Sequence, residues 1–112
     1  MFLVNRTPAR LVVFDTSTGH RVTSLPCVQN SDDAYFDAAR KRIYVAGGEG
    51  SIDVFQQHDP QHFERIARVS SALGARTAGY FGKGHKGLDV FYSVVPARAD
   101  KTAEVLLYTV QD

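Results

Sequence analysis

An apolar run closed by an aromatic residue recurs along this chain. Leu11-Val-Val-Phe-Asp15 returns as Ile52-Asp-Val-Phe-Gln56 and, more loosely, as Val105-Leu-Leu-Tyr-Thr109, about 41 and then about 53 residues further on. Other segments keep the same phase. Tyr35-Phe36 is followed by Tyr80-Phe81, and Arg21-Val-Thr-Ser by Arg65-Ile-Ala-Arg, each about 44 to 45 residues later. A unit that repeats at this period cannot bury its hydrophobic faces alone; it must stack on its neighbours.

Between the repeats the chain consists of short segments rich in Val, Ile, Leu, Phe and Tyr, punctuated by Gly, Pro, Asn, Asp and Ser. No stretch has the 3.6-residue period of a helix, so the expectation is an all-β chain. A period of ~40–45 residues is that of the four-stranded antiparallel sheet that forms one blade of a β-propeller. With strands lettered A to D from the axis outward, residues 1–28 supply B (Phe2 to Asn5), C (Arg10 to Phe14) and D (His20 to Cys27). A full blade spans 32–69, with A at Ala34 to Phe36, B at Arg42 to Ala46, C at Ser51 to Phe55 and D at Phe63 to Val69. Residues 76–112 supply A (Thr77 to Phe81), B (Leu88 to Val94) and C (Ala103 to Val110). The reading is a partial propeller of about two and a half blades, in one domain. The turns agree. Gly47-Gly-Glu-Gly50 can supply the positive φ of a tight B to C hairpin, and Asp15-Thr-Ser-Thr-Gly19 that of a C to D turn. The longer last offset places an insertion in the polar stretch Pro96 to Thr102.

Composition removes several function classes. Among 112 residues, hydrophobic types make up 44% and charged types 22%, the balance of a globular chain rather than a disordered one. Thirteen Lys and Arg against twelve Asp and Glu leave a formal charge of +1, far from the basic footprint of a phosphate binder, so nucleic acid is not expected as a partner. The short clusters Arg40-Lys-Arg42 and Lys83 to Lys86 read as solvated turns. No apolar run approaches the ~18 residues of a membrane span, and Met1 to Arg6 lacks the pattern of a signal peptide. One cysteine, Cys27, permits no internal disulfide and has no Cys or His spacing for zinc, which makes a small core residue its simplest role.

The segment from Asp32 to Phe55, containing Tyr-Phe-Asp37, Arg42-Ile-Tyr-Val-Ala46 and Ile52-Asp-Val-Phe55, resembles the YVTN-type β-propeller repeat: a strand ending in Phe-Asp, a turn, then a Tyr-Val strand and a Val-Phe strand. Residues 56–68 with Gly74-Ala-Arg-Thr77 are similar to the C-terminal part of bacterial YncE-like proteins. From about Tyr80 onward, Gly82-Lys-Gly-His-Lys-Gly87 departs from the pattern. The resemblance implies a binding or scaffold module without chemistry of its own, a piece of a longer propeller, and an exported, periplasmic setting. Its exposed sheet faces imply as partners further blades or copies of the same chain, with a small polar ligand or a protein on the loop face. The alternative it implies is a lactonase-like hydrolase of sugar acids, since relatives of that type place acid and Arg or His side chains at the channel.

Ligands of propellers sit on the face formed by the D to A and B to C loops. On the strand reading above that face receives Asp32, Asp33, Glu49, Arg76 and Arg98, with Arg76 aimed at the channel mouth, where a guanidinium can grip a carboxylate or phosphate. Asp32 and Asp33 can equally cap the turn before strand A. Gly82-x-Gly84-x-x-Gly87 spells a dinucleotide fingerprint, but strands are expected on both sides where that motif needs a helix, so no cofactor follows from it. His58 and His62, with Asp59 and Glu64, have helical metal-ligand spacing; Pro60 between them favours a C to D loop at the outer rim, and no metal is expected. No serine sits in a Gly-x-Ser-x-Gly context.

Overall fold

Ten strands follow one another in the computed structural model, which describes residues 1–75, 77–82, 89–97 and 101–110, with 32 and 33 as backbone alone. Among these residues there is no helix, and hence none long and apolar enough to cross a membrane. The strands are β1 (Phe2–Arg6), β2 (Ala9–Phe14), β3 (Arg21–Pro26), β4 (Ser31–Asp37), β5 (Arg42–Gly47), β6 (Ser51–Asp59), β7 (His62–Ser70), β8 (Thr77–Phe81), β9 (Val90–Val95) and β10 (Glu104–Thr109). They form three antiparallel meanders of three, four and three strands, in the orders β1-β2-β3, β4-β5-β6-β7 and β10-β9-β8. Each expected strand is found. The expected start of strand B at Leu88 lies outside the described residues, and β9 begins at Val90.

The turns form where the backbone can take unusual angles. Asp15 accepts from the Ser17 amide and hydroxyl at 2.9 and 2.7 Å, and Gly19 closes the β2–β3 turn at φ +74°. Gly50, at φ +114°, donates to the Gly47 carbonyl at 3.1 Å and closes the β5–β6 hairpin. Positive φ is readily reached by glycine, so both positions specify their turns.

The middle sheet lies between the other two. Its strand β5 is buried almost throughout: Ile43 and Val45 join Phe55 against Leu11 of the first sheet and Cys27 and Val28 of the connection that follows β3. On its other face Tyr44, Ala46 and Ile52 pack on Ala78 and Phe91 of the last sheet. Alternation along a strand sends successive side chains to opposite faces, which is how one apolar strand serves two cores. Aromatic contacts cross both seams. The Phe2 ring lies 5.2 Å from Phe36 and 6.1 Å from Phe63, and Tyr35 meets Phe91 edge-on at 5.9 Å. The Tyr35 hydroxyl also donates to the Ala78 carbonyl.

The repeat seen in the sequence is therefore a repeat of facing. Its first and third positions, Leu11 and Val13 in β2 and Ile52 and Val54 in β6, point towards the next sheet along the chain. Its second and fourth in β6, Asp53 and Phe55, point back towards the first sheet. In β10 the first and third positions are Val105 and Leu107, on the face turned away from the middle sheet, while Tyr108 packs back onto it.

Close approach of two backbones accounts for Gly47. A Cβ there would lie 2.6 and 2.7 Å from the Val28 methyl carbons and closer still to the Gln29 carbonyl. Gly47→Ala is expected to cost about 1–3 kcal/mol, the range for overpacking a tight site. The urea midpoint of this variant checks it; Gly19→Ala, where a Cβ meets nothing within 4 Å, bears the φ strain alone.

Candidate functional site

Connections gather at one end of the sheets and are laced together by their own backbones. Gly48 and Glu49, in the β5–β6 turn, donate to the carbonyls of Asn30 and Gln29 at 2.9 and 3.3 Å. Gly74 donates to the Gly48 carbonyl at 2.8 Å, and Ser71 to that of Gly50 at 2.9 Å. Asn30 at φ +57° and Gly74 at φ +83° make the bends that bring these amides inward. A Cβ on Gly74 would stand 3.1 Å from Pro96 Cγ, so the connection after β9 reaches the same cluster. Donors and acceptors that would otherwise face solvent are thereby paired, and the loop end becomes a fixed platform.

Glu49 stands exposed on that platform, as expected from its place in the turn. Arg76 and Arg98 lie outside the described residues. Asp32 and Asp33 belong to β4 itself, at a register irregularity between Ser31 and Asp33, rather than to a turn ahead of the strand; of their side chains nothing is described.

Two charged groups that the sequence reading did not single out lie beneath and opposite this platform. Asp53 is fully buried on β6, directly across from Arg68 on β7, whose guanidinium donates to both its oxygens at 2.6 and 2.9 Å. Arg65 lies 3.9 Å from the same carboxylate. The hydrogen bonds it donates to Asp53 raise the pKa of Arg68, against its partial burial, and the charge of Glu49 adds to the effect. Next to this pair, burial and then the Asp53 charge push the Cys27 thiol up to about 11. Its Sγ lies 3.5 Å from the Val28 carbonyl. A protonated thiol of this kind is a core residue and not a nucleophile. One signal in the sequence marks Asp53: it interrupts an apolar repeat at the position held by Val12 and Leu106.

At the opposite end, Asp37 closes β4 and is 2% exposed. It accepts from the Tyr44 hydroxyl at 2.8 Å and from Arg40 at 2.9 Å, while Arg40 also grips Asp89 of the last sheet at 3.0 and 2.5 Å. The histidines share this end. His58 meets Glu64 at 2.9 Å, and His62 meets Asp59 at 2.7 Å, both pairs exposed. Asp59 is held below the usual carboxylate range by the Gln61 amide and then by His62. The two histidines thus sit in strands β6 and β7, either side of a tight turn, with separate carboxylate partners. Among the described residues no three His, Cys, Asp or Glu side chains gather as metal ligands.

His20 and His62 line a polar cleft of about 470 Å³ between the β2–β3 and β6–β7 turns, with Asp15, Arg21 and Gln61. Glu49 and His58 are separated by the length of β6, on the order of 25 Å at ~3.3 Å per residue. Glu49 therefore stands at the opposite end of the sheets from His20, His58 and His62.

The chain matches no protein-family model, no curated protein and no solved structure.

Proposed function

We propose that this chain is a β-propeller binding and scaffold module of the YVTN/YncE-like kind. Its three sheets are consecutive blades, and its loop platform, carrying Glu49, is the ligand-facing side. It has no chemistry of its own. Further blades, from a longer chain or from copies of this one, cover its outermost sheet faces.

One observation carries this reading. Where a next sheet follows, the first and third repeat positions are covered: Leu11 is 0% exposed, Val13 4% and Ile52 3%, with Val54 half-buried. At the same positions of β10, Val105 is 62% exposed and Leu107 72%. Tyr92 and Phe81, whose rings stack at 5.8 Å, share that face. A contiguous apolar sheet face of this kind marks an interaction surface, and the repeat identifies what it fits: the back of another such sheet. The separation of Glu49 from His20, His58 and His62 supports binding over the lactonase alternative.

Sedimentation velocity tests it. The purified chain is expected to self-associate between micromolar and submillimolar concentration, and Leu107→Lys, at a solvent-facing position that tolerates charge, is expected to return it to the monomer. A wild-type chain that stays monomeric across that range would overturn coverage of these faces by copies of the chain and leave a longer chain as the source of further blades.

A further inference from the structure

The last sheet has three strands where the middle sheet has four. Its edge is β10, and among the described residues no strand pairs with the side of β10 turned away from β9. Beside that edge runs an apolar groove of about 420 Å³, floored by Ile52, Val54, Ile66 and Val69 of the middle sheet and walled by Tyr108 and Val110. Ile66 remains 44% exposed in it. The Tyr108 hydroxyl donates to the Ser70 carbonyl at 3.0 Å, tying β10 to β7 across the groove.

The corresponding region on the opposite face of the middle sheet is covered. There Leu25 of β3, the outermost strand of the first sheet, packs into the cluster that holds Phe55 and Phe63. The same relation carried one sheet forward puts a fourth strand of the last sheet into the groove.

We infer that the groove and the free edge of β10 are the acceptor site for one extended peptide strand, pairing antiparallel with β10 and laying alternate apolar side chains on Ile66, Val54 and Val69. Main-chain hydrogen bonds to the edge supply affinity, and the groove selects the side chains. The neighbours determine the chemistry. In the middle sheet β7 sets Arg68 opposite the buried Asp53. In β10 the repeat position of Asp53 is held by Leu106 and that of Phe55 by Tyr108. A strand beside β10 therefore meets an aliphatic side chain where β7 meets a carboxylate, and takes an aliphatic residue where β7 has arginine. Arg68 itself stays 42% exposed beside its acid, and an arginine laid against the apolar groove with no acid opposite it would be disfavoured. The inference rests on the sheet equivalence behind the propeller reading, but it uses a different surface from Val105 and Leu107.

Two fluorescently labelled peptides test it on the full chain by anisotropy: residues 62–70 as they stand, and the same peptide with Arg68→Leu. The leucine peptide is expected to bind saturably and about tenfold or more tighter than the native one, the scale set by placing an unpaired charge in an apolar site. Bound peptide is expected to slow hydrogen exchange at alternate β10 amides in the wild-type chain. Ile66→Lys is expected to weaken binding at least about tenfold by the same physics, with Leu107→Lys leaving it unchanged. Equal affinity of the two peptides, no saturable binding, or unprotected β10 amides would each overturn the acceptor site. Loss of binding through Leu107→Lys but not Ile66→Lys would overturn it too, by moving the peptide to the stacking face, and would leave the propeller proposal standing.

Discussion

Phe55→Ala is expected to destabilise the chain by about 3–5 kcal/mol, the range for removing a large aromatic side chain from a packed core. Phe55 has no exposed surface, and its ring lies among Leu11, Cys27, Val28, Ile43 and Val45, at the seam that joins the first sheet to the middle one. Against a typical total of about 5–15 kcal/mol, that is a large share. Phe14, the counterpart of Phe55 one repeat earlier, is half-buried at a register shift next to the β2–β3 turn. Phe14→Ala is expected to cost about 1–2 kcal/mol, less area being lost from the core. Urea titrations of the two variants check the contrast through their midpoints at unchanged slope. Equal losses would mean that the repeat position, and not the seam, sets the energy.

Asp37→Ala is expected to cost about 3–5 kcal/mol, because it leaves a nearly buried guanidinium short of a partner. Arg40, 8% exposed, would lose one of its two carboxylates, and the Tyr44 hydroxyl would lose its acceptor. Burial works to raise the Asp37 pKa, but the bonds from Arg40, Tyr44 and Tyr80 together outweigh it and hold the carboxyl below its usual range. A depressed folded value means that its contribution is complete above the unfolded pKa of about 3.9 and is lost as pH falls through the folded one. Wild-type stability is therefore expected to decline below about pH 4, and Asp37→Asn to flatten that limb of the profile. The tyrosines act at the other extreme. Burial and the Asp37 bond push Tyr80 up to about 12 and Tyr44 beyond the ordinary range. Raised values contribute below the unfolded pKa of about 10 and fade as pH rises further, so the chain is also expected to weaken in strong alkali. Thermal unfolding across pH reads both limbs.

Much of this architecture was legible in the residues. The alternation of apolar segments with Gly, Pro, Asn and Asp located the strands to within a few residues, since antiparallel meanders are joined by short turns with their own chemistry. Glu49 was readable as a loop residue for the same reason. Asp32 and Asp33 were not: short acidic residues favour turns and are depleted in strands, yet here both belong to β4, where the register shifts between Ser31 and Asp33. Arg68 looked like any exposed strand arginine, because its partner lies 15 residues away.

The sequence by itself determined the period, the all-β character, the strand order within each meander and the turns, because these depend on neighbours a few residues apart. The tertiary structure alone decided which face of each repeat is buried. Leu11, Ile52 and Val105 read alike, yet two are core and one is surface, since burial depends on whether another sheet lies across from it. It also decided that Asp53 and Asp37 could be charged inside an apolar stack. Burying a carboxylate is tolerable only where cations and hydroxyls from elsewhere converge on it, and Arg40 reaches Asp89 across 49 residues of chain to tie the middle sheet to the last.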